Sequence, residues 1–136
     1  MEAEHSSAQV GKVLVIDDDD LIVEVFRLML SRHYEVECVM TGADALASLR
    51  DISPYRAVVC DLQLPDMDGR AIYEALEREG RRDILDVMIF CTGGSADPVL
   101  EDFLDDVGRD RVLNKPCRVQ ELLEAIERIS RPSGAS

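Results

Sequence analysis

Acidic side chains, one hydroxyl and one lysine follow short apolar segments at four points along the chain. They are Asp17 and Asp18 after KVLVI, Asp61 after AVVC, Thr92 after MIFC, and Lys115 after VLN. Carboxylates that converge repel one another, so either one of them is protonated or a cation lies between them. Carboxylate oxygens that leave room for water and phosphate suit Mg²⁺. A lysine ammonium facing the same point is suited to an incoming phosphoryl group.

The apolar segments have the pattern of short buried strands. They are brief, rich in β-branched residues and bounded by polar residues, as expected when both faces of a parallel sheet are covered. We predict strands over residues 12–16, 34–39, 57–60, 86–91 and 111–114.

Between and after these strands, apolar residues recur at helical spacing. The predicted helices begin near Asp20, Thr41, Gly69, Pro98 and Val119, and Asp20 and Thr41 are expected to be N-caps. The apolar positions that mark the helices are Leu21, Val25, Leu28 and Met29; Ala45, Leu46 and Leu49; Ile72 and Leu76; Leu100, Phe103 and Leu104; and Val119, Leu122, Leu123, Ile126 and Ile129.

The alternation of strand and helix, repeated five times, predicts an α/β fold. Short connections of this kind give a parallel sheet with right-handed crossovers and helices on both faces. Ligands of such sheets bind beyond the carboxyl ends of the strands, so the five polar side chains are expected to converge at one edge. We expect one domain over residues 10–130, with disordered tails at 1–9 and 131–136.

Length, charge and composition limit the classes of function that this chain can have. A chain of 136 residues is long enough for one domain with a substantial core. Its net charge of −13 argues against nucleic acid or an anionic membrane as a direct partner. No apolar run reaches the roughly 18 residues of a spanning helix, and the polar N-terminus does not resemble a signal peptide, so we expect a cytoplasmic protein. The four cysteines form no CxxC pair, which favours a structural role.

Four segments together resemble the signature segments of response-regulator receiver domains in two-component signalling. They are VLVIDDDD, VVCDLQLPDMDG, MIFCTGG and VLNKP, in matching order and spacing across about residues 11–130. The resemblance implies a flavodoxin-like (βα)5 fold, a doubly wound sandwich whose five-stranded parallel sheet has the order 2-1-3-4-5. It also implies a protein that accepts a phosphoryl group in a phosphorelay.

The resemblance further implies a role for each acidic residue of the site. Asp61 matches the phosphoacceptor, which attacks the phosphorus of a phosphohistidine on a partner histidine kinase or phosphotransfer protein. Asp18 and Asp61, with the backbone carbonyl of Gln63, match the direct Mg²⁺ ligands. Asp17 matches the residue that holds metal-bound water.

The two remaining site residues match groups that contact the phosphoryl group. Thr92 corresponds to the hydroxyl that turns toward a phosphoryl oxygen, and Lys115 to the lysine that pairs with that group. The family often has a cis peptide bond after this lysine, so we predict a cis Lys115–Pro116 bond. The turn at 65–69 matches the family's closure of the third strand onto its helix.

Three positions depart from the family pattern near the fifth strand. Val112 replaces the usual aromatic, Arg109 replaces a small residue and Cys117 replaces a common phenylalanine. Valine has no ring to swing inward, so we expect output to depend on the Thr92-Gly93-Gly94 loop instead. The surface expected to respond carries Glu101, Asp102, Asp105 and Asp106.

Two other classes of protein compete with the receiver hypothesis. A phosphatase with an aspartyl-phosphate intermediate usually has a second acid two positions after its nucleophile, where this chain has Gln63. A receiver-like docking module would not need Asp61, Thr92 and Lys115 together. We therefore expect no enzyme beyond self-catalysed phosphoacceptance and autodephosphorylation. With only residues 131–136 after the last helix, we expect a single-domain regulator or the receiver of a hybrid kinase, whose downstream effector the sequence does not name.

Overall fold

Strands and helices alternate along the chain in the computed structural model, which describes residues 11–51, 54–94 and 97–130. These residues form β1 (Lys12–Ile16), α1 (Asp20–Leu30), β2 (Glu35–Val39), α2 (Gly42–Arg50), β3 (Ala57–Asp61), α3 (Gly69–Arg78), α4 (Arg82–Leu85), β4 (Met88–Thr92), α5 (Pro98–Val107), a 3-10 turn (Arg109–Arg111), β5 (Val112–Asn114) and α6 (Val119–Ser130). The tails predicted at 1–9 and 131–136 lie outside the described residues.

All neighbouring strands of the sheet are parallel. The order is β2-β1-β3-β4-β5, which confirms the fold and strand order that the family resemblance implied. β1 lies between β2 and β3, so the chain leaves β1 and β3 toward opposite neighbours. A crevice therefore opens beyond the carboxyl ends of these two strands, where ligands of doubly wound sheets bind.

Alternate residues of the central strands fill two apolar layers. Leu14 and Ile16 of β1 point into a cluster formed with α2, α3, α4 and α5. Val13 and Val15 point the other way, into a cluster formed with α1 and α6. Because both faces of the sheet are covered, the strands are almost continuously apolar, as the sequence indicated. The sheet is thereby a rigid base for the side chains at its edge.

Several predicted boundaries differ from the structure. β2 begins at Glu35, one residue later than predicted, and β4 begins at Met88 because the short helix α4 occupies residues 82–85. Arg111 belongs to the 3-10 turn, so β5 begins at Val112. Thr41 is the N-cap of α2, as predicted.

The prediction that Asp20 caps α1 is wrong. Asp19 is the N-cap, and its carboxylate accepts hydrogen bonds from the backbone N–H groups of Leu21 at 2.9 Å and Ile22 at 3.4 Å. Asp20 is the first helical residue. The N-cap is the residue whose side chain reaches the free N–H groups of the first turn, and in a run of four aspartates only the backbone path decides which one that is.

Helix α1 packs on the sheet through a different face from the one that the sequence analysis marked. Val23, Phe26 and Leu30 are its buried residues. Leu21 and Leu28 are instead 75% and 66% exposed. In α6, Val119 is likewise 38% exposed and does not belong to the core. The residues marked in α2, α3 and α5 are buried. Among the described residues, no helix combines the length and apolar character needed to cross a membrane.

Candidate functional site

Asp17 lies immediately after β1 and is nearly completely buried. Its backbone N–H donates to the carbonyl of Val39 at 3.1 Å, which ties it to the end of β2. One carboxylate oxygen accepts the N–H of Asp19 at 3.0 Å, and the other lies 2.9 Å from Nζ of Lys115. A buried carboxylate is costly unless it is paired, and Lys115 supplies that pairing.

Asp61 is the last residue of β3, and 11% of its side-chain surface is exposed. Its Oδ1 accepts the N–H of Gln63 at 3.3 Å, and its Oδ2 lies 3.3 Å from Nζ of Lys115. Burial raises the pKa of Asp61 above its ordinary value, the charge of Asp17 raises it further, and Lys115 acts in the opposite direction. A cation that approaches this carboxylate therefore stabilises its charged form.

Three carboxylates meet at this edge. One oxygen from each of Asp17, Asp18 and Asp61 lies within 4.8 Å of the others, and Asp18 is exposed where the other two are enclosed. An all-oxygen set that is open on one side fits a hard divalent cation that keeps part of its water shell. The predicted convergence of the acidic residues is therefore confirmed.

Gln63 is the second residue of the β3–α3 loop, which comprises residues 62–68. Gln63 pairs with Asp68 in an antiparallel bridge across this loop. The N–H of Gly69 donates to the carbonyl of Leu62 at 2.7 Å, and Asp68 caps α3 through the N–H of Ala71 at 2.8 Å. The loop is thus closed on itself beside Asp61. The proposed role of the Gln63 carbonyl as a ligand stays a prediction.

Lys115 follows β5, and its backbone N–H donates to the carbonyl of Thr92 at 2.8 Å. The Lys115–Pro116 peptide bond is cis, as predicted. Burial lowers the pKa of Lys115, but its hydrogen bonds and charge interactions with Asp17 and Asp61 outweigh that effect and the pKa is raised. The ammonium group is consequently charged at neutral pH and neutralises part of the acidic cluster.

Thr92 is the last residue of β4 and is buried. In the sheet register Asp61 pairs with Cys91, so Thr92 lies one residue beyond the level of Asp61 on the neighbouring strand. Its hydroxyl oxygen accepts the N–H of Gly94 at 3.0 Å. The oxygen is the acceptor in this contact, and the same hydroxyl can also donate its hydrogen to a second acceptor.

An apolar groove of about 330 Å³ adjoins the site between α1 and the segment that follows β5. Its lining residues are Ile22, Val25, Phe26, Met29, Lys115, Pro116 and Cys117. The apolar residues of α1 marked a helix in the sequence, but their spacing did not predict this surface. Apolar residues lie on both the buried and the exposed face of this helix, so their spacing does not separate the two faces.

Asp66 was also missed by the sequence analysis. It lies in the β3–α3 loop, and both of its carboxylate oxygens accept backbone N–H groups from the start of α2. Those partners precede it by more than twenty residues, so no local pattern reveals the contact.

Comparison with known proteins shows the family of the chain. The family model described as "Response regulator receiver domain" matches residues 13–127. The chain is 35% identical over 133 residues to hybrid signal transduction histidine kinase L of Dictyostelium discoideum, covering 93% of this chain and 8% of that protein. It is 31% identical over 121 residues to response regulator MprA of Mycobacterium sp. (strain KMS), covering 88% of this chain and 50% of that protein. The chain therefore spans half or less of these relatives.

Solved structures show the same architecture. The crystal structure of a CheY-like response regulator receiver domain protein from Methanospirillum hungatei JF-1 superposes with a TM-score of 0.76 at 28% identity. The match covers 89% of this chain and 94% of that one. A sensor protein from Polaromonas sp. JS666 gives a TM-score of 0.74, also at 28% identity, over 88% of this chain and 95% of that one.

Proposed function

This chain belongs to the family of response regulator receiver domains of two-component signalling, and from that premise we propose that Asp61 accepts a phosphoryl group from a histidine kinase or phosphotransfer protein. The observation that carries the proposal is the position of Asp61. Its carboxylate lies at the open end of β3, 3.3 Å from the Lys115 ammonium and within 4.8 Å of the two other carboxylates.

In the proposed reaction a carboxylate oxygen of Asp61 attacks the phosphorus of a phosphohistidine. The new bond is a P–O bond to the carboxylate, the P–N bond breaks, and its electron pair leaves with the imidazole nitrogen. A carboxylate is a weak nucleophile, so the rate depends on in-line positioning and on neutralising the charge of the transferred group. Lys115 supplies one positive charge for this purpose.

The second positive charge is assigned to Mg²⁺. Asp18, Asp61 and the carbonyl of Gln63 would hold it directly, and Asp17 would hold one of its water molecules. The fit rests on the all-oxygen set and on the excess of negative charge, since among the described residues three carboxylates face the Lys115 ammonium. When bound, the cation supplies electrostatic stabilisation of the phosphoryl oxygens.

Thr92 and Lys115 are proposed to contact the phosphoryl group after transfer. The hydroxyl oxygen of Thr92 accepts the N–H of Gly94, and a hydroxyl that accepts one hydrogen bond can also donate its hydrogen, here to a phosphoryl oxygen. Lys115 would exchange part of its ion pair with Asp17 for the phosphoryl group. Rearrangement at these two residues is the proposed origin of the signal.

The partner is proposed to dock on the groove beside Lys115. A phosphohistidine that reaches Asp61 has to approach over this edge of the sheet, and the groove together with exposed Leu21 and Leu28 offers apolar surface there. Exposed apolar surface beside a reactive site is typical of protein interaction sites. The expected cytoplasmic location and the absence of a nucleic acid partner stay part of the proposal, and the downstream effector is another protein.

A phosphatase is less well supported. Gln63 holds the position where such an enzyme needs an acid for the leaving group, and its backbone N–H contacts Asp61. The proposed chemistry is therefore limited to phosphoacceptance and autodephosphorylation.

The experiment that tests the proposal is labelling with a small acyl phosphate and Mg²⁺, followed by intact mass measurement. We expect the wild type to gain one phosphoryl mass and Asp61→Asn to gain none. Asp20→Asn is the matched control, because it removes the same charge from an exposed position at the start of α1. Undiminished labelling of Asp61→Asn would refute the assignment of the acceptor.

A further inference from the structure

The β3–α3 loop is a closed unit whose two ends meet beside the site. The Gln63–Asp68 bridge and the bond from Gly69 to Leu62 close it internally. Leu62 also donates its N–H to the carbonyl of Cys91 at 3.0 Å, which attaches the first residue of the loop to β4. Because of these bonds, Gln63 moves with the rest of the loop.

Asp66, near the tip of this loop, attaches the loop to α2. Its Oδ1 accepts the N–H of Gly42 at 2.8 Å and its Oδ2 accepts the N–H of Ala43 at 2.9 Å. The first N–H groups of a helix have no acceptor within the helix, and a carboxylate is favoured at that end. The same two bonds hold the pKa of Asp66 below its ordinary value. Both carboxylate oxygens of Asp66 are therefore hydrogen-bonded to α2.

Met67 packs over the same point of α2. A Cβ placed on Gly42 would overlap Cγ of Met67 and lie 2.7 Å from its Sδ, so Met67 in this position requires a residue without a side chain. Two consecutive residues of the loop, Asp66 and Met67, therefore contact the first turn of α2. Together they hold the loop against the first turn of α2.

We propose that Asp66 is a positioning residue of the cation site, acting through the tilt of the β3–α3 loop on the carbonyl of Gln63. This inference rests on the proposed function, in which that carbonyl is a ligand. Asp66 does not belong to the acidic cluster, and its own oxygens are directed to α2. Without it the loop pivots about its bonded ends, and the carbonyl no longer has one fixed position.

The test compares Mg²⁺ affinity, measured by calorimetry on the full chain, between the wild type and variants of Asp66. Loss of a residue that orients a ligand typically weakens a metal site by 10-fold or more, and we expect Asp66→Asn to weaken Mg²⁺ binding about tenfold. Asp66→Glu retains the charge but shifts the carboxylate by one methylene. It should weaken binding similarly if geometry matters, and not at all if only charge matters.

Thr41→Ala is the matched control. The Thr41 hydroxyl accepts the N–H of Asp44 at 3.1 Å, so this variant also removes a side-chain bond at the start of α2, but it leaves the loop untouched. We expect its Mg²⁺ affinity to equal that of the wild type. Equal weakening in Thr41→Ala and Asp66→Asn, or wild-type affinity in Asp66→Glu, would overturn the inference.

A second readout separates positioning from general damage. In labelling with a small acyl phosphate, Asp66→Asn should need more Mg²⁺ for half-maximal rate and reach the wild-type rate at saturation. A lower rate at saturation with unchanged Mg²⁺ dependence would contradict the inference. Failure of the proposed function is distinguishable, because wild-type protein would then take no label, or Asp18→Ala would bind Mg²⁺ as tightly as wild type.

Discussion

Two loops leave neighbouring strands at the same edge of the sheet, and they are built differently. The β3–α3 loop is bonded internally, attached to β4 at its start and attached to α2 through Asp66. The segment after β4 is open: within the part of the chain that the structure describes, a Cβ on Gly93 or Gly94 would meet no heavy atom within 4 Å other than those of its chain neighbours. The loop assigned to hold a cation is fixed before any ligand arrives, whereas the loop beside Thr92 has room to move.

Arg109, two residues beyond the end of α5, contacts residues along this helix, which follows the open loop. Arg109 pairs with Glu101 at 2.8 Å and with Asp105 at 2.7 Å, and it donates to the carbonyl of Glu101. Arg111 donates to the carbonyl of Leu85 at 2.6 Å. The family departure at Arg109 thus has a structural role at the end of α5. Movement that begins at Thr92 is expected at the start of this helix, close to Pro98.

The largest effect that we expect is stabilisation of the folded domain by Mg²⁺ bound beside the β3–α3 loop. The folded state brings the three carboxylates together, so a cation that binds it favours folding. At a concentration of ~100 times the dissociation constant, the gain in the free energy of unfolding is about 2.7 kcal/mol. Asp18→Ala should remove most of it, and Asp20→Ala, which changes an exposed neighbour, should retain it. If millimolar Mg²⁺ left the wild-type melting temperature unchanged, the site would not bind the cation.

A pair of glycine substitutions tests the contrast in packing directly. A Cβ on Gly69 would lie 3.1 Å from Cε1 of the buried Phe90 and 3.4 Å from the carbonyl oxygen of Asp61. Overpacking of this kind costs about 1–3 kcal/mol, so we expect Gly69→Ala to lose roughly that amount in urea unfolding. Gly93→Ala enters open space and should be neutral or gain up to about 1 kcal/mol from the less flexible unfolded chain. Equal losses in the two variants would remove the proposed difference between the loops.

Sequence patterns predicted the fold and most of the site because both depend on local features. Buried parallel strands are apolar throughout, and the residue after each strand is placed at the edge by the topology alone, which located Asp17, Asp61 and Lys115. Helix α1 could not be oriented in the same way. It carries apolar residues on both its core face and its exposed face, such as Phe26 and Leu28, and contact with the sheet decides between them. Asp66 depends on a contact formed only in the folded chain.

The smallest effect expected is a redistribution of amide exchange on phosphorylation. Val112 is half-buried at the start of β5 and packs against the cluster beneath α5, with no ring to move between two positions. A ligand shifts a conformational equilibrium only by its different contacts in the two states, and Val112 offers few. Thr92 does offer them, because a hydroxyl that turns to a phosphoryl oxygen strains or breaks its bond from Gly94. We therefore expect exchange to change at Gly93 and Gly94.

The same experiment should show changes at the acidic face of α5 that carries Glu101 and Asp102, with little change in the β3–α3 loop. Changes below about tenfold in rate, or about 1.4 kcal/mol in local opening, are expected, because the open loop has few contacts to lose. Exchange is measured with and without a phosphoryl mimic and Mg²⁺, and Asp61→Asn with the mimic is the control for its direct binding. Protection changes centred on Val112, with Gly93 and Gly94 unaffected, would mean that the signal leaves through β5. The contrast between a fixed and a responsive loop would then not describe how this domain transmits phosphorylation.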